Sequence, residues 1–274
     1  MLSYLILSPA YYADDTLYTK LQYAYTMLES KDMTLDFIAF RYDNNDILSA
    51  NEYHKLFEAY RFAKTHNIVL LLNLSSYKLE TLVLLWLHGF NLGIHFKESD
   101  MPLLRDNICK DLKQSHALIH SLQDNISLHE KVKILYSALS HTGIAKSLKL
   151  LCDIESFSYF LTPFNQALNT YENLRQENRL DKRFYPIFVS THNSCDLSKV
   201  LSLGANYATI SPIFYDKGNK ALGLPYLQKL PLRVKERAFA LGGINSDLRV
   251  HEIKSCGMAG FASISFFYND ELCF

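Results

Sequence analysis

Histidine and serine side chains follow two neighbouring apolar runs of the sequence, at the point where each run ends. The run at 186–190 leads into Thr191 and His192, and the run at 207–212 carries Ser211. A histidine flanked by hydroxyls can move a proton or donate a hydrogen bond to a phosphate group. A purely structural histidine also fits this pattern. If both runs are parallel strands, their carboxyl ends lie at the same edge, and His192 and Ser211 meet.

Two glycines and a serine mark the ends of two later apolar runs. Gly242 and Gly243 follow the run at 237–241, and Ser265 follows the last run. Because glycine has no Cβ, the backbone there can approach a ligand closely. Asn245 or Ser246 can cap the next helix, whose amide groups then face an anion. This pattern predicts a phosphate site, although a tight turn alone also explains the glycine pair.

Three charged residues follow or lie between other apolar runs. Arg41 and Lys220 are candidate cations for phosphate oxygens, and either also fits a solvated surface charge. Asp100 could hold Mg²⁺, which typically takes one or two carboxylates plus substrate phosphates. It could equally cap the helix that begins with Met101 and Pro102.

The elements that must position these residues alternate along the chain. The predicted strands span residues 4–8, 36–41, 68–73, 91–96, 186–190, 207–212, 237–241 and 260–266. Helical patterns occupy residues 15–30, 51–65, 78–88, 101–112, 196–203, 224–235 and 247–255. Alternation of this kind forces parallel pairing, and eight units close an α/β fold of the (β/α)8 TIM-barrel type. A doubly wound open sheet is the alternative, but no G-x-G-x-x-G follows the first strand.

The chain divides into a barrel and an insertion. We predict that residues 1–112 and 184–274 form the barrel and that residues 113–183 form a helical insertion between helix 4 and strand 5. Such a connection lies at the amino-terminal face of the barrel, so we expect a stability or association module rather than a lid. The few residues after Phe267 predict that the eighth helix is missing or truncated.

A missing helix would leave strand 8 exposed. Phe261, Phe266 and Phe267 cannot all point inward, because successive side chains of a strand alternate between its two faces. We therefore expect either a second subunit, giving a homo-oligomer, or a segment at Tyr11 and Tyr12 with a shifted first helix to cover this side.

Composition excludes several classes of protein. The chain has 274 residues, 49% of them hydrophobic and 20% charged, with zero formal net charge. Neither nucleic acid nor an acidic membrane surface is favoured as a partner. The five cysteines are scattered and odd in number, which fits a reducing compartment. With no apolar run long enough to cross a bilayer and only a weak resemblance to a signal peptide, we expect a cytoplasmic protein without a membrane segment.

Four segments taken together resemble the thiamine phosphate synthase and thiazole tautomerase family. They are GIHFKESDMP at 93–102, VSTHN at 189–193, GANYATISPIF at 204–214, and LGGI with CGMAGFASIS across 241–265. Their order and strand positions carry the resemblance, which covers the barrel but not the insertion. The family is a (β/α)8 barrel, and its synthases are transferases that join a hydroxymethylpyrimidine diphosphate to a thiazole phosphate and release pyrophosphate.

The resemblance implies roles for individual residues. Gly243 and Ser265 would hold the thiazole phosphate through backbone amides, and Asp100 would bind Mg²⁺. The diphosphate would meet Arg41, Asn73, Ser190 and Lys220, with Lys217 competing for the last role. His192 and Lys220 are the expected catalytic residues, and Thr191, Ser211, Gly242 and Ile264 complete the expected substrate contacts at the strand ends.

The sequence departs from the family at three positions of the diphosphate pocket. Where the family has glutamine, lysine and aspartate, this chain has Ala39, Asp43 and Leu74. Losing a cation and gaining an anion lowers the local charge by about two units against a multiply charged substrate. Three hypotheses follow: a divergent synthase of thiamine biosynthesis, a tautomerase-like isomerase in which His192 moves the proton, and a catalytically silent barrel that binds a phosphate ligand or a partner.

Overall fold

Parallel strands form the centre of the computed structural model. The structure describes residues 1–42, 47–73, 79–105, 107–122, 125–142, 144–171, 174, 180, 185–214 and 221–267. Its strands are β1 (Leu2–Leu7), β2 (Phe37–Arg41), β3 (Val69–Asn73), β4 (Gly93–Phe96), β5 (Ile187–Thr191), β6 (Tyr207–Ile210), β7 (Ala238–Leu241) and β8 (Gly260–Ser263).

The strands pair in sequence order and close on themselves. Every pair is parallel, and β8 pairs with β1 through Tyr4 opposite Ala262. The predicted (β/α)8 barrel is confirmed. Closure leaves no sheet edge, so the carboxyl ends of all eight strands surround one mouth.

Helices surround the barrel. The longer ones are α1 (Leu17–Glu29), α2 (Ala50–Thr65), α3 (Leu79–Leu87), α4 (Met101–Arg105), α5 (Ile108–Ser121), α6 (Leu128–Leu139), α7 (Ala145–Cys152), α8 (Ile154–Leu168), α9 (Ser194–Ser202), α10 (Leu224–Gln228), α11 (Leu232–Lys235) and α12 (Asp247–Ser255). Short polar residues begin several of them: Ser49 and Glu52 form a capping box on α2, Asn193 caps α9, and Ser246 caps α12. None of the described helices is long and apolar enough to cross a bilayer.

Aromatic side chains fill the amino-terminal half of the barrel interior. The ring of Tyr4 lies 4.9 to 6.1 Å from those of Phe37, Phe188 and Phe239. Neighbouring residues point the other way, so Leu5 and Ile38 pack under the outer helices. In the described part of the chain, this packed floor is apolar except for the hydroxyls of Tyr4 and Tyr207.

The residues of the expected insertion pack as helices against the outer helix ring. Helix α5 runs through Leu112 to Ser121, so no new element begins at the expected boundary. Helix α8 lies against α2, where the buried Phe164 contacts the rings of Tyr53 and Phe57 at 5.4 and 5.5 Å. The division into a barrel and an inserted module stays a prediction.

Strand β8 is covered by its own chain. Phe266 and Phe267 form a 3-10 turn, Ser265–Phe267, and pack on Phe261; all three are buried. The hydroxyl of Tyr11 reaches the carbonyl of Phe267 at 3.4 Å. We expected either a second subunit or the Tyr11 segment to cover β8, and the structure shows the Tyr11 segment there. Exposed aromatic side chains on β8 therefore no longer argue for a homo-oligomer. Residues 268–274 lie outside the described residues, and the missing eighth helix stays a prediction.

Candidate active site

Several predicted site residues end neighbouring strands. Arg41 ends β2 opposite Asn73, which ends β3. Thr191 ends β5 opposite Ile210, and Ser211 follows directly on β6. The barrel therefore brings these residues to one end. Lys220, together with Lys217, Asp43 and Leu74, lies outside the described residues.

His192 and Ser211 meet as the sequence predicted. The Nδ1 atom of His192 lies 2.8 Å from the carbonyl oxygen of Ser211 and 3.2 Å from its hydroxyl oxygen. On the other side of the ring, Nε2 lies 3.2 Å from the carboxylate of Glu98. The ring of His192 thus lies between the Ser211 residue on one side and the Glu98 carboxylate on the other, at the half-exposed rim.

The glycine pair after β7 has the conformation that its residue type predicts. Gly242 and Gly243 have φ angles of +101° and +71°, which side chains other than glycine rarely adopt. A Cβ on Gly242 would lie 2.9 Å from the Cα of Pro212, so the two loops touch. The carbonyl of Gly243 accepts a hydrogen bond from Arg249, while its N–H has no partner within the described residues.

Two serines fix the loop that follows β8. The hydroxyls of Ser263 and Ser265 both donate to the carbonyl of Ile244, at 2.7 and 3.3 Å. Ser263 also accepts from the backbone N–H of Phe266 at 3.0 Å. The loops after β7 and β8 are therefore tied together, and the phosphate site between them stays a prediction.

A polar layer that sequence reasoning did not single out lies inside the mouth. His95 is buried, with Nε2 at 2.9 Å from the Ser190 hydroxyl oxygen and Nδ1 at 2.6 Å from the Tyr4 hydroxyl oxygen. Burial, followed by the positive charge of Arg41, lowers the pKa of His95 to about 3. Alternation along β4 could have indicated His95, because it shares the inner face with Gly93.

Asn73 adds an acceptor to the same end of the barrel. Its side chain is 6% exposed, and Oδ1 is buried without a hydrogen-bond partner in the described part of the chain. A buried amide oxygen without a partner carries a desolvation cost, which a ligand donor or a cation would relieve.

Asp100 caps a backbone N–H group at the start of a helical turn, which is the alternative to metal binding that the sequence offered. Its Oδ2 accepts from the backbone N–H of Lys97 at 2.9 Å, and the residue is 2% exposed. Among the described residues, no cluster of three His, Cys, Asp or Glu side chains could hold a metal ion. A Mg²⁺ ion at Asp100 would therefore need a phosphorylated substrate to supply further ligands.

Two further expected substrate contacts, Thr191 and Ile264, differ in the direction that their side chains take. Thr191 is fully buried, and its hydroxyl donates to the carbonyl of Thr209 at 2.7 Å. Adjacent residues of a strand face opposite ways, so Ser190 faces inward and the Thr191 side chain does not. This corrects the expectation for Thr191. Ile264 is half-buried against the inner cluster, on the mouth side of Ala262.

The chain is similar in sequence to thiamine-phosphate synthases over part of its length. A thiamine-phosphate synthase of one Prochlorococcus marinus strain is 35% identical over 82 residues, 29% of this chain and 23% of that protein. The enzyme of the same name from subspecies pastoris is 32% identical over 88 residues, 31% of this chain and 25% of that protein. The matched part thus spans about a quarter of the length of these relatives.

The other comparisons add less. The sequence matches no protein-family model. A thiamine phosphate pyrophosphorylase from Pyrococcus furiosus superposes with a TM-score of 0.48 and 11% identity, covering 98% of this chain and 88% of that one. Because this TM-score is low, we assign the barrel from the strand pairing of the chain itself. The similarity to the two curated enzymes is local, covering under a third of this chain.

Proposed function

We propose that this protein is a transferase of thiamine biosynthesis that joins a hydroxymethylpyrimidine diphosphate to a thiazole phosphate. The similarity of 32–35% to two thiamine-phosphate synthases carries the proposal. The polar groups at the barrel mouth agree with it, because they suit an anionic ligand entering at the end where such barrels hold their sites.

In the proposed reaction, the bond between the pyrimidine methylene carbon and a diphosphate oxygen breaks. Its electron pair leaves with the diphosphate, and the thiazole nitrogen donates a pair to the carbon. Arg41 would neutralise charge on the leaving group, and Ser190 would donate a hydrogen bond to it. The N–H of Gly243, which has no partner among the described residues, and the loop at Ser265 would hold the thiazole phosphate.

Magnesium would be held by Asp100 together with the diphosphate of the substrate. When bound, the ion would supply positive charge to the departing diphosphate. Asp100 would have to serve the ion while it caps the backbone N–H of Lys97, so binding to the protein alone is expected to be weak.

The structure bears on the altered diphosphate pocket at one position. Ala39 is fully buried and belongs to the inner apolar cluster with Ile6 and Leu71. The family's glutamine would need space in this packed layer, and its absence removes a polar group from the mouth. Fewer contacts to the diphosphate predict a slower synthase rather than a different fold.

The isomerase alternative is not favoured by the geometry of His192. Both ring nitrogens lie against protein groups, Ser211 and Glu98, so a proton-moving role would require one of these contacts to open. No observation on the described residues favours the catalytically silent barrel.

A thermal-shift screen tests the proposed ligands. A ligand at about 100-fold its Kd adds about 2.7 kcal/mol of stability, which raises Tm by several degrees. We expect thiazole phosphate, pyrophosphate with Mg²⁺, and thiamine phosphate each to raise Tm. Arg41→Met should lose the pyrophosphate shift, whereas Arg233→Met, at an exposed position on α11, should keep it. No shift with any of the three would contradict the proposal.

A further inference from the structure

We infer that Tyr4 and His95 form a hydrogen-bond relay that fixes the Ser190 hydroxyl as a donor directed to the ligand. The inference names positioning residues and rests on the proposed function only for the identity of that ligand. It follows from which atom donates and which accepts in the two hydrogen bonds that join Tyr4, His95 and Ser190.

The relay begins at the floor of the barrel. Tyr4 is fully buried among aromatic rings, and its hydroxyl oxygen lies 2.6 Å from His95 Nδ1. Burial raises the pKa of Tyr4 well above its usual value, so the hydroxyl keeps its proton. Within the described residues His95 is its hydrogen-bond partner. The Tyr4 hydroxyl therefore donates, and Nδ1 accepts.

Because the His95 imidazole accepts a hydrogen bond at Nδ1, it must donate one from Nε2. His95 is 1% exposed and carries no charge at neutral pH, because burial and the nearby Arg41 disfavour the protonated ring. A neutral imidazole has one N–H group, so a ring that accepts at Nδ1 must hold its proton on Nε2. Nε2 then donates to the Ser190 hydroxyl oxygen at 2.9 Å.

Ser190 is the last group of the relay and the one that faces the ligand. Since its oxygen accepts from His95, its own proton cannot point back at the ring. The described residues offer it no other acceptor, and the residue is half-buried near the carboxyl end of β5. The hydroxyl is thus left as a donor toward the mouth, where it suits an anionic oxygen of phosphate or diphosphate chemistry. Without Tyr4, the ring could take the other tautomer, and Ser190 could donate to it instead.

Nitrogen-15 NMR of the imidazole rings tests the relay without any substrate. The signal of His95 is assigned by its loss in His95→Gln. In the wild-type protein we expect a protonated Nε2 and an unprotonated Nδ1 at neutral pH. Tyr4→Phe should move both shifts toward averaged values. Tyr207→Phe is the matched control, because it removes a hydroxyl from the same aromatic cluster without a bond to His95, and it should leave the tautomer unchanged.

Titration with inorganic pyrophosphate and Mg²⁺ gives the second readout. Ser190→Ala should weaken binding by about tenfold or more, the value of a hydrogen bond to a charged group. Tyr4→Phe should weaken it by a smaller factor, and Tyr207→Phe should not. A wild-type proton on Nδ1, or a tautomer unmoved by Tyr4→Phe, would overturn the relay. A confirmed tautomer without formation of thiamine phosphate would instead count against the proposed function alone.

Discussion

The imidazole of His192 bridges two loops of the barrel mouth, with Nε2 3.2 Å from the carboxylate of Glu98. Its other nitrogen lies 2.8 Å from the carbonyl oxygen of Ser211. Both nitrogens of His192, the expected catalytic histidine, therefore already contact groups of the protein. It is better suited to holding the loops after β4 and β6 together than to moving a proton.

The first prediction concerns this histidine. Because both ring nitrogens are engaged, His192→Asn should lower kcat for thiamine phosphate formation by no more than about tenfold, since general acid–base catalysis typically contributes about 10²- to 10⁴-fold. Glu98→Gln, which removes the charge and keeps the size, should have a similar effect. Steady-state kinetics measure kcat, and a loss of about 10³-fold for His192→Asn alone would show that this side chain acts in the reaction itself.

The second prediction concerns the contact between two loops at the mouth. Gly242→Ala should destabilise the protein through a positive φ angle and through a Cβ placed 2.9 Å from Pro212. The matched control is Gly257→Ala, where φ is +75° but the new Cβ would lie 4.0 Å from the Lys235 side chain. Strain alone should cost about 1–2 kcal/mol, and the clash should add about 1–3 kcal/mol. Equal losses of unfolding free energy in urea would show that the loops do not touch.

The third prediction follows from the pKa of His95. The unfolded chain protonates this residue below about pH 6.5, whereas the folded protein does so only near pH 3. Between these values the unfolded state holds more protons, so the free energy of unfolding falls as the pH falls, by about 1.4 kcal/mol per unit. His95→Gln should remove about one proton from this dependence between pH 6 and pH 4.

Urea unfolding at several pH values measures that slope. His251→Gln, which changes an exposed histidine on α12, should leave it unchanged. The His95 variant is expected to be less stable overall, but the slope reports the titration separately from the loss of packing. A variant with the slope of the wild-type protein would show that His95 titrates normally in the folded state.

The fourth prediction concerns the helices of the expected insertion. Phe164 on α8 is fully buried and lies 4.4 Å from the ring of His88 as well as near α2. Phe164→Ala should lower the free energy of unfolding by about 3–5 kcal/mol. Tyr159→Ala on the same helix removes a ring that is 62% exposed and should change it by less than about 0.5 kcal/mol. Two separate unfolding transitions in Phe164→Ala would instead identify a module independent of the barrel.

Strand order and the placement of the mouth residues could be predicted from the sequence, because apolar runs, helical patterns and glycine positions are local signals. The His95–Ser190 contact could not, since 95 residues separate the partners. The same holds for Tyr11 over Phe267, a contact across 256 positions that removed the expected exposure of β8. The burial of Thr191 was predictable in principle, because alternation places Ser190 and Thr191 on opposite faces of β5.

The most direct test is the reaction itself. Purified protein is incubated with hydroxymethylpyrimidine diphosphate, thiazole phosphate and Mg²⁺, and thiamine phosphate and pyrophosphate are quantified. The account predicts that the wild-type protein forms both products and that Arg233→Met forms them at the same rate as the wild-type protein. Arg41→Met should be slower by about tenfold or more, because it loses a charge-assisted contact to the leaving group. A folded wild-type protein that forms no thiamine phosphate would contradict the proposed function.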